Sequence, residues 1–374
     1  MRATSFVISL SLAAALGGCS SVESQSTPIQ GSDLYSELPS RRSTVSGIVY
    51  DPEAFFFTVA TWPAPPPGEE PSPDDEAPPP ALMVGIPYLM RSSPLVAQMS
   101  VTQGSSEVSS GASAPNGFWE LGGLSTGETV YQVKSTPPQG GIELWNEPEF
   151  FPPEVFPPVP PAKYYSTTTL RPIVPRVGSC PLQMATVVGE AGALGAVANL
   201  LTSMGTATTP ADLVDPTKTG GVALIWLYAP SPVLDVFDSP SGGISAEASQ
   251  GTLYPIGWAP DAHEGDPEPP PPGRSPMGYF ALPPGEISPL GYYALVLPKG
   301  ATGQVAVSFH DTVTSAPGEE PGPGGPRPWS TPGFSFDATP GVSFARLHAM
   351  PEAGPEDPLA EHVPEPDTSW QCLP

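Results

Sequence analysis

Proline punctuates this chain so densely that it decides what can be built. With 57 Pro and 39 Gly among 374 residues, few stretches are long enough for a helix, because proline lacks a backbone donor and its ring clashes with the preceding turn. No Gly-X-Y period accompanies them, so a collagen-like rod is excluded. Hydrophobic residues make up 39% of the chain and charged ones only 14%, which leaves enough apolar surface for packed cores. Between the proline clusters lie short runs that read as β-strands, each bounded by Gly, Pro or Ser: Val45 to Tyr50, Leu95 to Thr102, Gly117 to Leu121 and Thr129 to Lys134. The expected fold class is therefore all-β, with two β-sandwich domains, a helical insertion and long Pro-rich loops.

The strand pattern occurs twice. Gly117-Phe118-Trp119-Glu120-Leu121 is matched by Gly278-Tyr279-Phe280-Ala281-Leu282, and Tyr131 by Tyr292. Ser93-Pro94-Leu95-Val96 finds a counterpart in Ser231-Pro232-Val233-Leu234, and Gly47 to Tyr50 a looser one in Val222 to Tyr228. Two degenerate copies of one β-unit are the simplest account. The expected division is a signal peptide at 1–18, a flexible tether at 19–43, a first sandwich at 44–140 with a Pro-rich insertion at 63–80, and a Pro-rich linker at 141–162. A second sandwich at 163–350 and an acidic Pro-rich tail at 351–374 complete it. Ala185 to Met204 is rich in Ala, Leu and Val, with Pro210 just beyond, and reads as a helix packed on the second sandwich; a membrane-spanning or membrane-contacting segment and a strand or loop are the competing readings. Strands are also expected over Gly303 to His310 and Gly333 to His348.

Lys and Arg number 13 against 38 Asp and Glu, a net charge of −25. Such a balance repels phosphate backbones and anionic headgroups, which excludes nucleic acid as a partner. The three acidic Pro-rich stretches, Pro63 to Pro80, Asp266 to Pro276 and Ala316 to Pro328, are expected to loop out into solvent as extended polyproline segments. They read as tolerated surface insertions or as docking strips for an aromatic-lined groove.

The N-terminus carries the most specific motif. Arg2 precedes an apolar run from Phe6 to Leu16, and small residues lead directly to a thiol in Leu16-Gly17-Gly18-Cys19. The run is too short to span a bilayer and has the form of a secretory signal. It resembles the lipobox of bacterial lipoproteins. The resemblance implies cleavage before Cys19 and lipidation of its thiol, and two or three acyl chains hold such a protein on a membrane durably. Ser20, standing where inner-membrane retention often uses Asp, favours the outer membrane within that resemblance. With Cys19 lipidated, Cys180 and Cys372 are the remaining thiols. In an oxidising compartment they are expected to pair, the alternative being two buried free thiols.

The repeated strand pattern in turn resembles carboxypeptidase regulatory-like domains, which are transthyretin-like sandwiches; the two expected domains are thus transthyretin-like or immunoglobulin-like in form. The matching residues are Gly47 and Val49, then Pro94, Leu95 and Ala97 or Met99, then Gly117, Trp119 and Leu121, and last Tyr131 and Val133. That family supplies accessory modules, so the resemblance implies no catalysis.

Nothing in the residues themselves points to an enzyme. His263, His310, His348 and His362 are scattered, with no i, i+4 pair of the kind a zinc site uses. His310-Asp311 beside Ser308 invites comparison with a catalytic triad, but neighbours on a strand point to opposite faces and no Gly-x-Ser-x-Gly surrounds Ser308. The acidic runs around Asp261, Glu264, Asp266 and Glu268, and Asp74-Asp75-Glu76, lack calcium-loop spacing. No catalytic residue, metal ligand or cofactor is expected. Trp226 reads as core, while Trp62, Trp145, Trp258 and Trp329 lie outside confident strands and are candidates for stacking on sugar rings. The chain thus reads as a non-enzymatic, lipid-anchored envelope protein, a scaffold or recruiting module whose partners are the membrane, through its anchor, and another envelope protein. The alternative is a module that binds polysaccharide or another ligand at the cell surface.

Overall fold

The computed structural model describes residues 42–61, 96–125, 129–138, 157–173, 182–228, 244–260, 271–311, 329–330, 333–348 and 350–351. The first unit runs β1 (Arg42–Tyr50), α1 (Pro52–Ala60), β2 (Gln98–Gln103), β3 (Ser106–Ala112), β4 (Phe118–Ser125) and β5 (Tyr131–Thr136). Next come β6 (Tyr164–Tyr165), β7 (Thr167–Ile173), β8 (Leu182–Thr186), β9 (Val188–Gly189), α2 (Ala193–Ser203) and α3 (Pro210–Val214). The chain continues through β10 (Gly221–Tyr228), β11 (Ile244–Ala248), β12 (Thr252–Trp258), β13 (Tyr279–Ala281) and β14 (Tyr292–Leu297). It closes with β15 (Gln304–Asp311), β16 (Trp329–Ser330), β17 (Phe334–Asp337), β18 (Val342–His348) and β19 (Met350–Pro351).

The protein is all-β in class, and its organising element is one sheet of nine strands in the order β13-β12-β14-β10-β18-β7-β5-β2-β3. β18 is its central strand and pairs parallel with β10 on one side and with β7 on the other. A parallel strand covered on both faces should read as an unbroken apolar run, and β10 is Gly-Val-Ala-Leu-Ile-Trp-Leu-Tyr. Its odd and even positions serve different cores. Val222, Leu224 and Trp226 pack under the helices, whereas Ala223, Ile225 and Leu227 pack against the three-stranded sheet β11-β15-β17.

Residues paired in register share a face, so the ladder shows where the remaining layer lies. Leu224 is opposite Phe344, Phe344 opposite Thr169, Thr169 opposite Val133 and Val133 opposite Val101. Val101 and Val133 belong to the core closed by the sheet β4-β1-β8. The first sandwich and the two longer helices therefore lie side by side on one face of the long sheet, and the second sandwich covers the other. Residues 164–187, expected in the second sandwich, contribute Tyr164, Ile173, Ala185 and Val187 to the first core.

Three expectations change. The helix foreseen over 185–204 begins only at Ala193, because Gly47 to Tyr50 pair in parallel with Gln183 to Thr186 and draw that segment into β8. The first half of α2 is then buried, from Ala193 to Ala198. A second helix, α1, appears where none was expected. Finally, the described part of the Asp266 to Pro276 stretch does not loop free. Asn199 Nδ2 donates to the carbonyls of Gly273 and Arg274, and Arg274 Nη1 donates to Ala259 O at 2.8 Å, which fastens it to α2.

The repeated motif is real at the level of a turn. In each copy a glycine with positive φ, Gly117 at 82° and Gly278 at 86°, donates to the carbonyl three residues earlier. Ala114 N–H bonds Phe118 O and Ser275 N–H bonds Tyr279 O, both at 2.7 Å. Only glycine holds that φ without strain. The strands that follow diverge: β4 pairs with β1, but β13 pairs with β12, and β10 pairs with β14. In each copy a tyrosine also accepts from the loop before it. Ser125 N–H donates to Tyr131 Oη at 3.0 Å and Ser288 N–H to Tyr293 Oη at 3.3 Å. The structural equivalent of Tyr131 is thus Tyr293, one residue beyond the sequence match, and Tyr292 is freed for another role.

Candidate functional site

That role lies at the seam where the first sandwich meets the helix-covered core. β1 ends at Tyr50, and Asp51 opens α1 as its N-cap, with Pro52 and Glu53 in the first turn. This is the residue order that suits exposed helix donors and the positive helix end. Asp51 Oδ1 accepts from Glu53 N–H at 2.8 Å and Ala54 N–H at 3.1 Å, and Oδ2 accepts from the Tyr164 hydroxyl at 2.8 Å. Glu53 reaches the other way. Its Oε1 accepts from Ala193 N–H, the first residue of α2, at 2.7 Å and from the Tyr292 hydroxyl at 2.8 Å. The Tyr279 hydroxyl donates to Glu53 O at 2.9 Å. One acidic corner therefore caps two helices and joins Tyr164 of one core to Tyr279 and Tyr292 of the other.

The packing leaves no slack. Asp51 and Glu53 are both fully buried, and Gly192 is the only residue type that fits beside them, since a Cβ there would stand 1.8 Å from Glu53 Oε2. Rings close the rest: Trp226 stacks on Tyr292 at 4.2 Å, and Phe56 of α1 meets Trp226 at 5.4 Å and Trp258 at 5.6 Å. Burial pushes both carboxyls up from their ordinary values, Asp51 to about 6 and Glu53, with the Asp51 charge adding to the effect, to about 8. Burial raises Tyr164 as well, reinforced by the two carboxyls. Without solvent access, this constellation can hold and exchange a proton and fasten elements together; no substrate can reach it.

On the opposite side of the molecule a groove of 380 Å³ crosses β11, β15 and β17, lined by Glu247, Ser249, Ser308, Phe334 and Ser335 among others. His310 lies exposed on the same sheet. No group of three or more His, Cys, Asp or Glu among the described residues could hold a metal ion. Trp119 and Trp226 are buried, and Trp258 donates its indole N–H to Met277 O at 2.8 Å. Trp119 and Trp226 therefore offer no exposed platform for sugar rings, whereas Trp258 is only partly buried. Cys19, Cys180 and Cys372, and with them the lipidation site and the expected bridge, lie outside the described residues, as do Trp62, Trp145, His263 and His362. No helix among the described residues is long and apolar enough to cross a membrane.

Sequence reasoning did not single out Asp51 and Glu53. The available signal was the Asp-Pro-Glu order ahead of an apolar run, which marks a helix start.

No family model matches the sequence, and no curated protein matches it. Among solved structures, the TIE protein of Bacillus anthracis aligns at 11% identity over 70% of this chain, with a TM-score of 0.17. The chain spans about a third of that protein's length, 32%. The shaft pilin SpaA from Lactobacillus rhamnosus GG aligns at 9% identity over 84% of this chain and 99% of the pilin, with a TM-score of 0.19. At such TM-scores the backbones do not superpose as one fold, and neither protein informs the role of this one.

Proposed function

We propose that this protein is a non-enzymatic component of a bacterial cell envelope, held at the membrane by a lipid on Cys19 and serving as a scaffold or partner-recruiting module. The observation that carries this reading is Leu16-Gly17-Gly18-Cys19 directly after an apolar run too short to span a bilayer. Ser20 supports placement at the outer membrane. Two further features support a holding role. The main concentration of buried polar chemistry fastens two cores together, and a single sheet runs through both. The charge of −25 suits a solvated envelope face or contact with a basic partner.

Expression of the full chain in a diderm bacterium, with metabolic labelling by a palmitate analogue, tests the anchor. The wild-type protein should sediment with membranes and carry label, and Cys19→Ala should appear unlabelled in soluble fractions. Continued membrane association of the Cys19→Ala protein would refute the anchor. Affinity purification from gently solubilised membranes then tests the scaffold role, for which a stoichiometric envelope partner is expected; recovery of the protein alone counts against it.

A further inference from the structure

Two carboxyls buried within one helical turn are not equivalent once their hydrogen bonds are counted. Asp51 accepts three, from two backbone N–H groups and the Tyr164 hydroxyl, and donors in that number favour the ionised form. Glu53 accepts two, both on Oε1, and its buried Oε2 has no hydrogen-bond partner among the described residues. Ionised, it would leave charge on an unsolvated atom. Protonated, it leaves only a hydroxyl there and keeps Oε1 as the acceptor for Ala193 and Tyr292.

The groups that face the pair come from every neighbouring element. β1 supplies Tyr50, whose hydroxyl is hydrogen-bonded to Arg346 of β18. β6 supplies Tyr164, β13 Tyr279 and β14 Tyr292, all through hydroxyls that donate. Ahead of α2, Glu190 accepts from Tyr165. α2 itself offers Glu53 the Ala193 N–H.

We infer that Glu53 is held as a neutral carboxylic acid beside an ionised Asp51, and that loss of its proton in mild alkali releases α2 from the β1–α1 corner, opening the seam between the two cores. The direction follows from linkage. The folded protein holds this proton more tightly than the unfolded chain, because Glu53 is raised from 4.5 to about 8. The stability it contributes is therefore complete below the unfolded value and is lost as pH rises through about 8.

Infrared spectroscopy and hydrogen exchange on the full chain test this. A protonated-carboxyl C=O band should be present near pH 7, should fade as the solution becomes alkaline, and should be missing in Glu53→Gln. Exchange at the start of α2, corrected for base catalysis, should rise at least about ten-fold between roughly pH 7 and pH 9.5 in the wild type, and stay level in Glu53→Gln. Asp51→Asn keeps a capping side chain but removes the neighbouring charge, so the band should titrate at lower pH. This variant also serves if Glu53→Gln does not fold. Absence of the band at neutral pH, its survival in Glu53→Gln, an unchanged midpoint in Asp51→Asn, or equal exchange in wild type and Glu53→Gln would each overturn the inference.

Discussion

Replacing Gly192 with alanine probes the seam most directly. The added Cβ would stand 1.8 Å from Glu53 Oε2, 2.2 Å from Cδ and 2.6 Å from Oε1, so the carboxyl must move out of its place. The φ of −102° at Gly192 lies outside the left-handed region. Displacement orphans the Ala193 N–H and the Tyr292 hydroxyl, each of which costs about 1–3 kcal/mol when buried without a partner. Alanine recovers on the order of 0.4–1 kcal/mol by restricting the unfolded chain. The net loss is about 1–5 kcal/mol, a large part of the roughly 5–15 kcal/mol by which such proteins are stable. Urea unfolding followed by tryptophan fluorescence reads it, since Trp119 and Trp226 are both buried and should report loss of the cores. The midpoint should fall while the slope is unchanged. In a Glu53→Ala background there is no carboxyl to displace, and the same change should cost less than about 1 kcal/mol. A loss below about 0.5 kcal/mol in the wild-type background, or equal losses in the two backgrounds, would refute the steric argument.

The two tyrosines that accept from the loops before them, Tyr131 and Tyr293, should differ in worth. Tyr293 is buried, accepts from Ser288 N–H and donates to the Ile244 carbonyl, so Tyr293→Phe should lower unfolding stability by about 1–3 kcal/mol, whereas Tyr131→Phe, which unties only the loop at Ser125, should cost about 1 kcal/mol. Trp226→Ala removes the ring stacked on Tyr292 and under Phe56, and thermal or urea unfolding should show a loss of about 3–5 kcal/mol. If Cys180 and Cys372 are bridged in the exported protein, reduction should slow its gel migration and expose two alkylatable thiols; equal labelling before and after reduction would exclude the bridge.

Much of the architecture is local and was readable. The apolar run of β10 announces a strand covered on both faces, and Gly117 and Gly278 announce turns that need positive φ. Both follow from a side chain's own conformational limits and from whether alternate positions are apolar. The proposed anchor motif at Cys19 is likewise a matter of adjacent residues. Long-range pairing was not readable in this way. Ala185 opens a run rich in Ala and Leu that reads as a helix, and the parallel partner β1 draws Ala185 and Thr186 into a strand. Equivalent turns at Gly117 and Gly278 feed strands into different pairings, because register is settled by which apolar face is left to cover.

The acid corner divides the same way. Asp51-Pro52-Glu53 by itself specifies a helix start, through the fixed φ of proline and the acceptor on the cap. Tertiary structure alone sets Glu53 against a backbone N–H 140 residues away, under Tyr292 and beside Gly192, with no water to solvate it. A carboxyl's charge state depends on the groups around it in space, and in this protein those groups come from β6, β13, β14 and α2, which only the folded chain brings together.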